Sequence, residues 1–335
     1  MKFAHVRYDD KDSVAVHFDD AHLVSLDTLL VSTGSKYAGL AFEELSAVIQ
    51  AGRIFLNNIN TSLKRFKAQP DRTKLIPIAG VTWYPPVRNP GKICGIAMNN
   101  SASNERKISA PDHPAFFLKP ASCLAGHLQA IKIRPYYGSV HPEPELCIII
   151  GRETRDIAAV DALDAVFGYS IFNDITGNGM RAEDLFHYQA LYAKEDNPGE
   201  TERVEQHLSY AGRYKGCDTF GCLGPWLVTK DEITDPDDLD VYCRMGGEVI
   251  AGDSTRYYNY KVAEIVSFIS QFHTLHPGDI ISCGTAFKPS ANRKSIHGAN
   301  FQTVDGPVEV SIDGLGTLVN PVVVEQKEIG QWRLG

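Results

Sequence analysis

Residues 142–150 read Pro142-Glu143-Pro144-Glu145-Leu146-Cys147-Ile148-Ile149-Ile150. The last five form a short unbroken apolar run, bounded by prolines and then Gly151, and this is the signature of a buried strand. Short apolar or alternating runs recur before it, at Ile93–Ala97, Ala115–Leu118 and Ile131–Ile133. After it come Ala165–Asn173, Thr219–Thr229, Leu239–Met245, Asp279–Cys283, Val308–Ile312 and Gly316–Val324. One amphipathic helix is expected among them, Lys261–Phe272, with Val262, Ile265, Val266 and Ile269 on one face. A short helix should end near Asp161–Val166. Many strands and few helices predict an α+β chain, mostly β, built on a closed or folded-over sheet rather than a doubly wound one.

Ahead of this region, residues 1–85 read as a small N-terminal α/β domain, and residues 86–335 as the main domain. The first unit opens with short strands at Phe3–Arg7, Ser13–Phe18 and His22–Ser25, followed by two helical patterns, the better at Phe42–Ala51. The turn-rich stretch from Trp83 to Gly91 serves as the linker. Further on, the polar stretch Arg181–Gly212 is long for a loop, and loops of that length often cover an active site.

The 335 residues are 43% hydrophobic and 22% charged, which is ordinary globular composition and enough to bury a core without disulfides. A formal charge of -8 argues against nucleic acid as a partner, because phosphate recognition needs a clustered positive field. Seven cysteines without CxxC pairs fit a reducing compartment, and the acid-bearing N-terminus lacks the apolar core of a signal peptide. No window approaches the ~18 apolar residues of a membrane span. The expectation is a cytoplasmic protein with neither membrane nor nucleic-acid partner. Patterns for nucleotide loops, HExxH zinc sites and the serine-hydrolase elbow are absent.

Chemistry concentrates around the opening stretch. On an extended chain, Glu143 and Glu145 point to the same side, because side chains alternate with period two. Two carboxylates sharing one face just before a buried strand repel each other and lose hydration, and a bound cation is the simplest compensation. Asp174 closes another apolar strand 29 positions after Glu145. Three hard oxygen donors suit magnesium, calcium or manganese rather than zinc. The alternative at this point is equally simple: the glutamates are a solvated strand end and Asp174 is a helix N-cap.

The wider pattern separates these readings. The segments EPELCIIIGR, GYSIFNDIT, KGCDTFGCLGPWLVTKDEI, LHPGDIISCGT and IDGLGTLVNPVV, in this order, resemble the fumarylacetoacetate hydrolase family, including its acylpyruvate hydrolase and oxaloacetate decarboxylase branches. The resemblance spans roughly residues 92–325 and implies a mixed β-roll core, a small N-terminal domain and a homodimer. It implies that Glu143, Glu145 and Asp174 bind a divalent cation, magnesium first, with manganese or calcium as alternatives. It sets Lys215 beside metal and substrate as a catalytic group, Thr285 on the substrate carboxylate, and Lys119 in a structural role or at the substrate pocket.

The implied reaction is hydrolysis of a C–C bond in an acylpyruvate-like or fumarylacetoacetate-like dicarbonyl acid. The cation acts as a Lewis acid for the enolate left by bond cleavage. Departures fall at the base. Where hydrolytic relatives carry Asn-Tyr-x-x-His-x-x-Glu, this chain has Asn99-Asn100-Ser101-Ala102-Ser103-Asn104-Glu105-Arg106, so Ser103 replaces the histidine. The usual Ser-Ala-Arg-Asp after the metal aspartate is Thr176-Gly177-Asn178-Gly179, leaving Arg181 to reach toward substrate from further along. Glu105 and His113 are the candidate substitute bases; His187 and Tyr188 are further candidates to line the pocket. The altered base also keeps two other functions in view. One is a metal-dependent decarboxylase, hydratase or isomerase of a 2-oxo acid; the other is a catalytically silent dimeric binding protein.

Overall fold

The computed structural model describes residues 1–40, 42–100, 107–291 and 295–326. The apolar run of residues 142–150 is a strand, Pro144–Ile150, buried along its whole length. It pairs antiparallel with Val166–Asp174 on one side and with Ile280–Ser282 on the other. The next ladder, Ile280–Ser282 with Ile93–Ala97, is parallel, so the sheet is mixed. In strand order the twelve-stranded sheet continues through Ala115–Lys119 at one end and through Gly221–Thr229 toward the N-terminus at the other.

Why this strand is apolar without alternation follows from what lies on its two faces. Leu146, Ile148 and Ile150 belong to a core shared with the second sheet, formed by Glu248–Ser254, Asp240–Met245, Val308–Ile312 and Gly316–Asn320. The helix Val262–Phe272 contributes Val262, Ile265, Val266 and Ile269 to that same core. Cys147 and Ile149 instead belong to a core with Leu45, Phe55 and Ile59 of the N-terminal helix. A strand buried on both faces has no polar side to alternate with. The α+β, mostly-β class expected from the sequence is the class observed.

The N-terminal residues do not stand apart. The strand Lys2–Tyr8 pairs with Gly221–Thr229, Lys2 against Val228 and Phe3 against Leu227, so residues before and after position 85 share one sheet and one core. The turn-rich stretch at Trp83–Gly91 marks a change of direction rather than a gap between bodies. The helix expected at Phe42–Ala51 is longer, Leu45–Ala68, and is interrupted at Gly52, whose φ of 73° a residue with a side chain rarely adopts. The stretch Arg181–Gly212 is not a loop. After a short helix, Asn178–Glu183, it forms an antiparallel hairpin, Leu185–Ala193 with Thr201–Ser209, exposed over nearly all its length. Its alternation was unreadable because neither face is buried. No described helix is long and apolar enough to cross a membrane.

One half-buried imidazole gives the fold a pH dependence. His127 packs edge-on to Trp83, accepts the Val319 N–H at Nδ1 (3.0 Å), and burial pushes its pKa down to about 4. Between that value and the ordinary 6.5 the unfolded chain binds more protons than the folded one. The stability contribution is therefore complete above pH 6.5 and lost as pH falls toward 4. Urea denaturation at stepped pH is expected to show this loss in the wild type and a flatter acid limb in His127→Phe. Parallel limbs would exclude His127 as the source.

Candidate metal centre

The antiparallel register brings the three acids together. Pro144 lies opposite Asn173, so Glu143 and Asp174 occupy the next rung, where the Asp174 N–H donates to the Glu143 carbonyl at 2.9 Å. Asn173 Oδ1 accepts the Glu143 N–H at 3.0 Å and fixes the approach to the strand. Glu143, Glu145 and Asp174 each present an oxygen within 4.8 Å of the others. Glu145 and Asp174 are buried, whereas Glu143 borders a cavity.

Each carboxylate is held by particular donors. Glu145 Oε2 accepts from the Ser282 hydroxyl and from the Gly284 N–H (2.9 Å), and its Oε1 lies 3.3 Å from the Thr285 hydroxyl. Gly284 has φ +96°, and a Cβ there would stand 2.7 Å from Asn99 Cβ, so glycine is required for this turn to present its N–H. Glu143 accepts from Thr285 and Thr176 hydroxyls, both at 2.9 Å. Asp174 is gripped from both sides by ammonium groups: Lys119 Nζ at 2.5 Å from Oδ1 and Lys215 Nζ at 2.5 Å from Oδ2. Lys215 also reaches Glu143 Oε2 at 2.9 Å.

The electrostatics show a site short of positive charge. Burial alone would push Glu143 up, but Lys215 and His141 hold it well below the ordinary carboxylate range. Glu145 is pushed up to about 8, first by burial and then by the charges of Asp174 and Glu143, which Lys215 only partly offsets. Burial works against the Lys215 ammonium, yet Asp174, Glu143 and Glu145 raise its pKa. A buried carboxyl that its neighbours force toward the neutral form is what a cation site looks like before its cation is counted. Three carboxylate oxygens converging on one point fit a hard divalent ion.

A cavity of about 330 Å³ opens onto this centre. Glu143, Thr176, Lys215, Thr285 and His297 supply its polar wall, and Ile96, Phe117, Tyr214, Phe287 and Ile296 its apolar wall. Lys215 Nζ lies 5.2 Å from the Phe117 ring centroid. Arg181 stands exposed at the rim, its guanidinium 5.9 Å from the Tyr214 ring.

The family model for the fumarylacetoacetate (FAA) hydrolase C-terminal domain matches residues 92–323. The chain belongs to this family. It is 31% identical over 258 residues to a Bos taurus protein named oxaloacetate tautomerase FAHD2A, mitochondrial, covering 77% of this chain and 74% of that one. Among solved structures, the maleylpyruvate hydrolase of Sphingobium sp. SYK-6, in complex with manganese(II) and pyruvate, superposes with a TM-score of 0.68 at 24% identity. That match covers 97% of this chain and 100% of the hydrolase. The 2-hydroxyhepta-2,4-diene-1,7-dioate isomerase of Mycobacterium marinum gives a TM-score of 0.61 at 25% identity, covering 98% and 100%.

Within this member of the fumarylacetoacetate hydrolase family, the structure gathers Glu143, Glu145, Asp174, Lys215 and Thr285 into one centre and leaves Arg181 at its edge. Lys119 is fully buried beneath the centre and is not among the residues lining the cavity; it donates to Asp174 and to the Lys215 and Phe220 carbonyls, which fits the structural side of its expected role. His113 is also displaced; it is exposed, stacked on Phe268 at 5.2 Å, and is not among the residues lining the cavity. His187 and Tyr188 lie on the exposed hairpin, outside that lining too. Glu105 and Ser103 fall outside the described residues.

Two histidines that were not anticipated stand at the centre. His141 Nε2 is 3.2 Å from Glu143 Oε1 and 3.1 Å from Nδ1 of His297, which lines the cavity. His141 had a sequence signal, since it stands two positions before Glu143 in the same extended stretch. His297 had none; the short 3-10 helix Ile296–Gly298 delivers it from 156 positions downstream. Losing the buried Lys119 charge is expected to cost about 3–5 kcal/mol by breaking a buried ion pair. Lys119→Met should therefore unfold at clearly lower urea and bind divalent metal more weakly. An unchanged midpoint would show that Asp174 does not depend on Lys119.

Proposed function

We propose that the chain is a metal-dependent enzyme that moves a proton at the carbon beside the oxo group of a small 2-oxo acid, interconverting keto and enol or double-bond isomers. The observation that carries this is the His297–His141–Glu143 chain, which brings an acid–base group to the wall of the cavity beside the three carboxylates. The name of the 31%-identical tautomerase supports the same chemistry.

Glu143, Glu145 and Asp174 would hold the cation, magnesium or manganese. When bound, it supplies Lewis-acid polarisation of the oxo group. The Lys215 ammonium stabilises negative charge developing on the substrate oxygen. Thr285 hydrogen-bonds the chelating end, and Arg181 at the rim suits a second carboxylate at the far end of the substrate, which makes a dicarboxylic oxo acid the preferred class. His297 carries the proton, oriented by His141. Seven free cysteines suit a reducing compartment, the cytoplasm or the organelle that the relatives' names print. A homodimer belongs to the same proposal, on the ground of family membership.

C–C hydrolysis of an acylpyruvate is the second reading, favoured by the same His297, which can as well activate water as move a carbon-bound proton. Turnover of oxaloacetate enol, acetylpyruvate and fumarylpyruvate, measured with EDTA and then with magnesium or manganese, separates the two. Metal-dependent loss of enol absorbance without new acids supports isomerisation; two acids from one support hydrolysis; release of carbon dioxide identifies a decarboxylase. No turnover with metal bound would leave a binding protein. In either enzymatic case His297→Ala is expected to lower kcat by about 10²–10⁴-fold with metal binding retained. Unchanged kcat would remove His297 from the mechanism.

A further inference from the structure

We propose that the exposed hairpin carries a second metal site, formed by His187, His207 and Glu205, which takes a borderline transition ion such as zinc. The register places His187 directly opposite His207, with Glu205 two positions before His207 on the same strand. All three side chains therefore leave the same face of the two-stranded ribbon. The imidazole rings stack at 4.1 Å with planes 10° apart, and His187 Nε2 touches the Glu205 carboxylate. One donor atom from each residue lies within 4.8 Å of the other two. The side chains of His187 and Glu205 are more than half exposed, so an ion can enter from solvent.

The donor chemistry differs from that of the buried centre. Two imidazole nitrogens and one carboxylate oxygen suit zinc, copper or nickel and leave a position open for water, whereas three buried carboxylates suit magnesium or manganese. The ribbon also has a physical use for such a clip. A hairpin with no third strand and no packed face is marginal by itself, and a cross-strand metal ties its two halves together. At the hairpin's root, Leu185 pairs with Ser209, whose hydroxyl lies 3.2 Å from the Tyr214 hydroxyl. Tyr214 lines the catalytic cavity, so the clip sits next to a wall of that cavity without belonging to it.

The test uses the full chain saturated with magnesium, so that the buried centre is filled, and titrates zinc by calorimetry while following amide exchange. The wild type is expected to bind one zinc beyond the magnesium site and to slow exchange in residues 185–193 and 201–209. His187→Ala and His207→Ala should each weaken that zinc by well over the about tenfold typical of losing an outer-sphere partner. Leu191→Ala, on the same face but carrying no donor, should keep it. Absence of the extra zinc, or equal zinc affinity in His207→Ala, would overturn the proposal, as would equal loss in Leu191→Ala.

Discussion

Asp174→Asn is expected to retain no divalent cation after gel filtration and to lose activity by about 10²–10³-fold or more, the scale of removing one charged group from a preorganised site. The reason lies in what converges on this carboxylate. Its two oxygens face Lys119 and Lys215, and its third neighbour set is Glu143 and Glu145. Making it neutral removes one of three ligand charges, takes from Lys119 its paired carboxylate and leaves Lys215 with Glu143. A fall in folding stability, about 3–5 kcal/mol for breaking a buried pair, should accompany the loss of metal. Manganese stoichiometry by electron paramagnetic resonance and a urea curve read the two effects separately. Full manganese occupancy with wild-type turnover would remove Asp174 from the centre.

Lys215→Met should act with opposite signs on binding and catalysis. The ammonium contacts Glu143 Oε2 and Asp174 Oδ2, oxygens that a cation would also use, so its removal relieves competition and metal affinity should hold or rise. Turnover should still fall by about 10²–10³-fold, because charge developing on the substrate loses its nearest protein cation. A merely structural lysine would lower both quantities together. Weaker metal binding with kcat intact would contradict the role given to Lys215.

The elements legible in the sequence were those with one physical demand on them. Ile93–Ala97, Ile131–Ile133 and Val308–Ile312 were bounded to the residue because each is an apolar or alternating run close to turn-formers. The helix Val262–Phe272 differed by one residue, because its apolar face is continuous. The hairpin at 185–209 was missed because strand alternation is visible only when one face is buried. The pairing of Lys2–Tyr8 with Gly221–Thr229 was not legible for a related reason: a turn-rich stretch looks the same whether the chain leaves a domain or re-enters the same sheet.

The sequence by itself determined the donor chemistry of the centre: Glu143 and Glu145 two apart on a strand, Asp174 at the end of another, Lys215 and Thr285 in segments resembling one family. Spacing and residue type supplied the candidates, and the ordered segments that resemble one family separated a cation site from a solvated strand end. Only the tertiary structure decided which groups line the cavity. It buried Lys119 beneath Asp174, carried His113 onto Phe268, and delivered His297 to His141 across 156 positions of chain. Contacts of that range depend on how two sheets and their loops pack, and no local pattern encodes them.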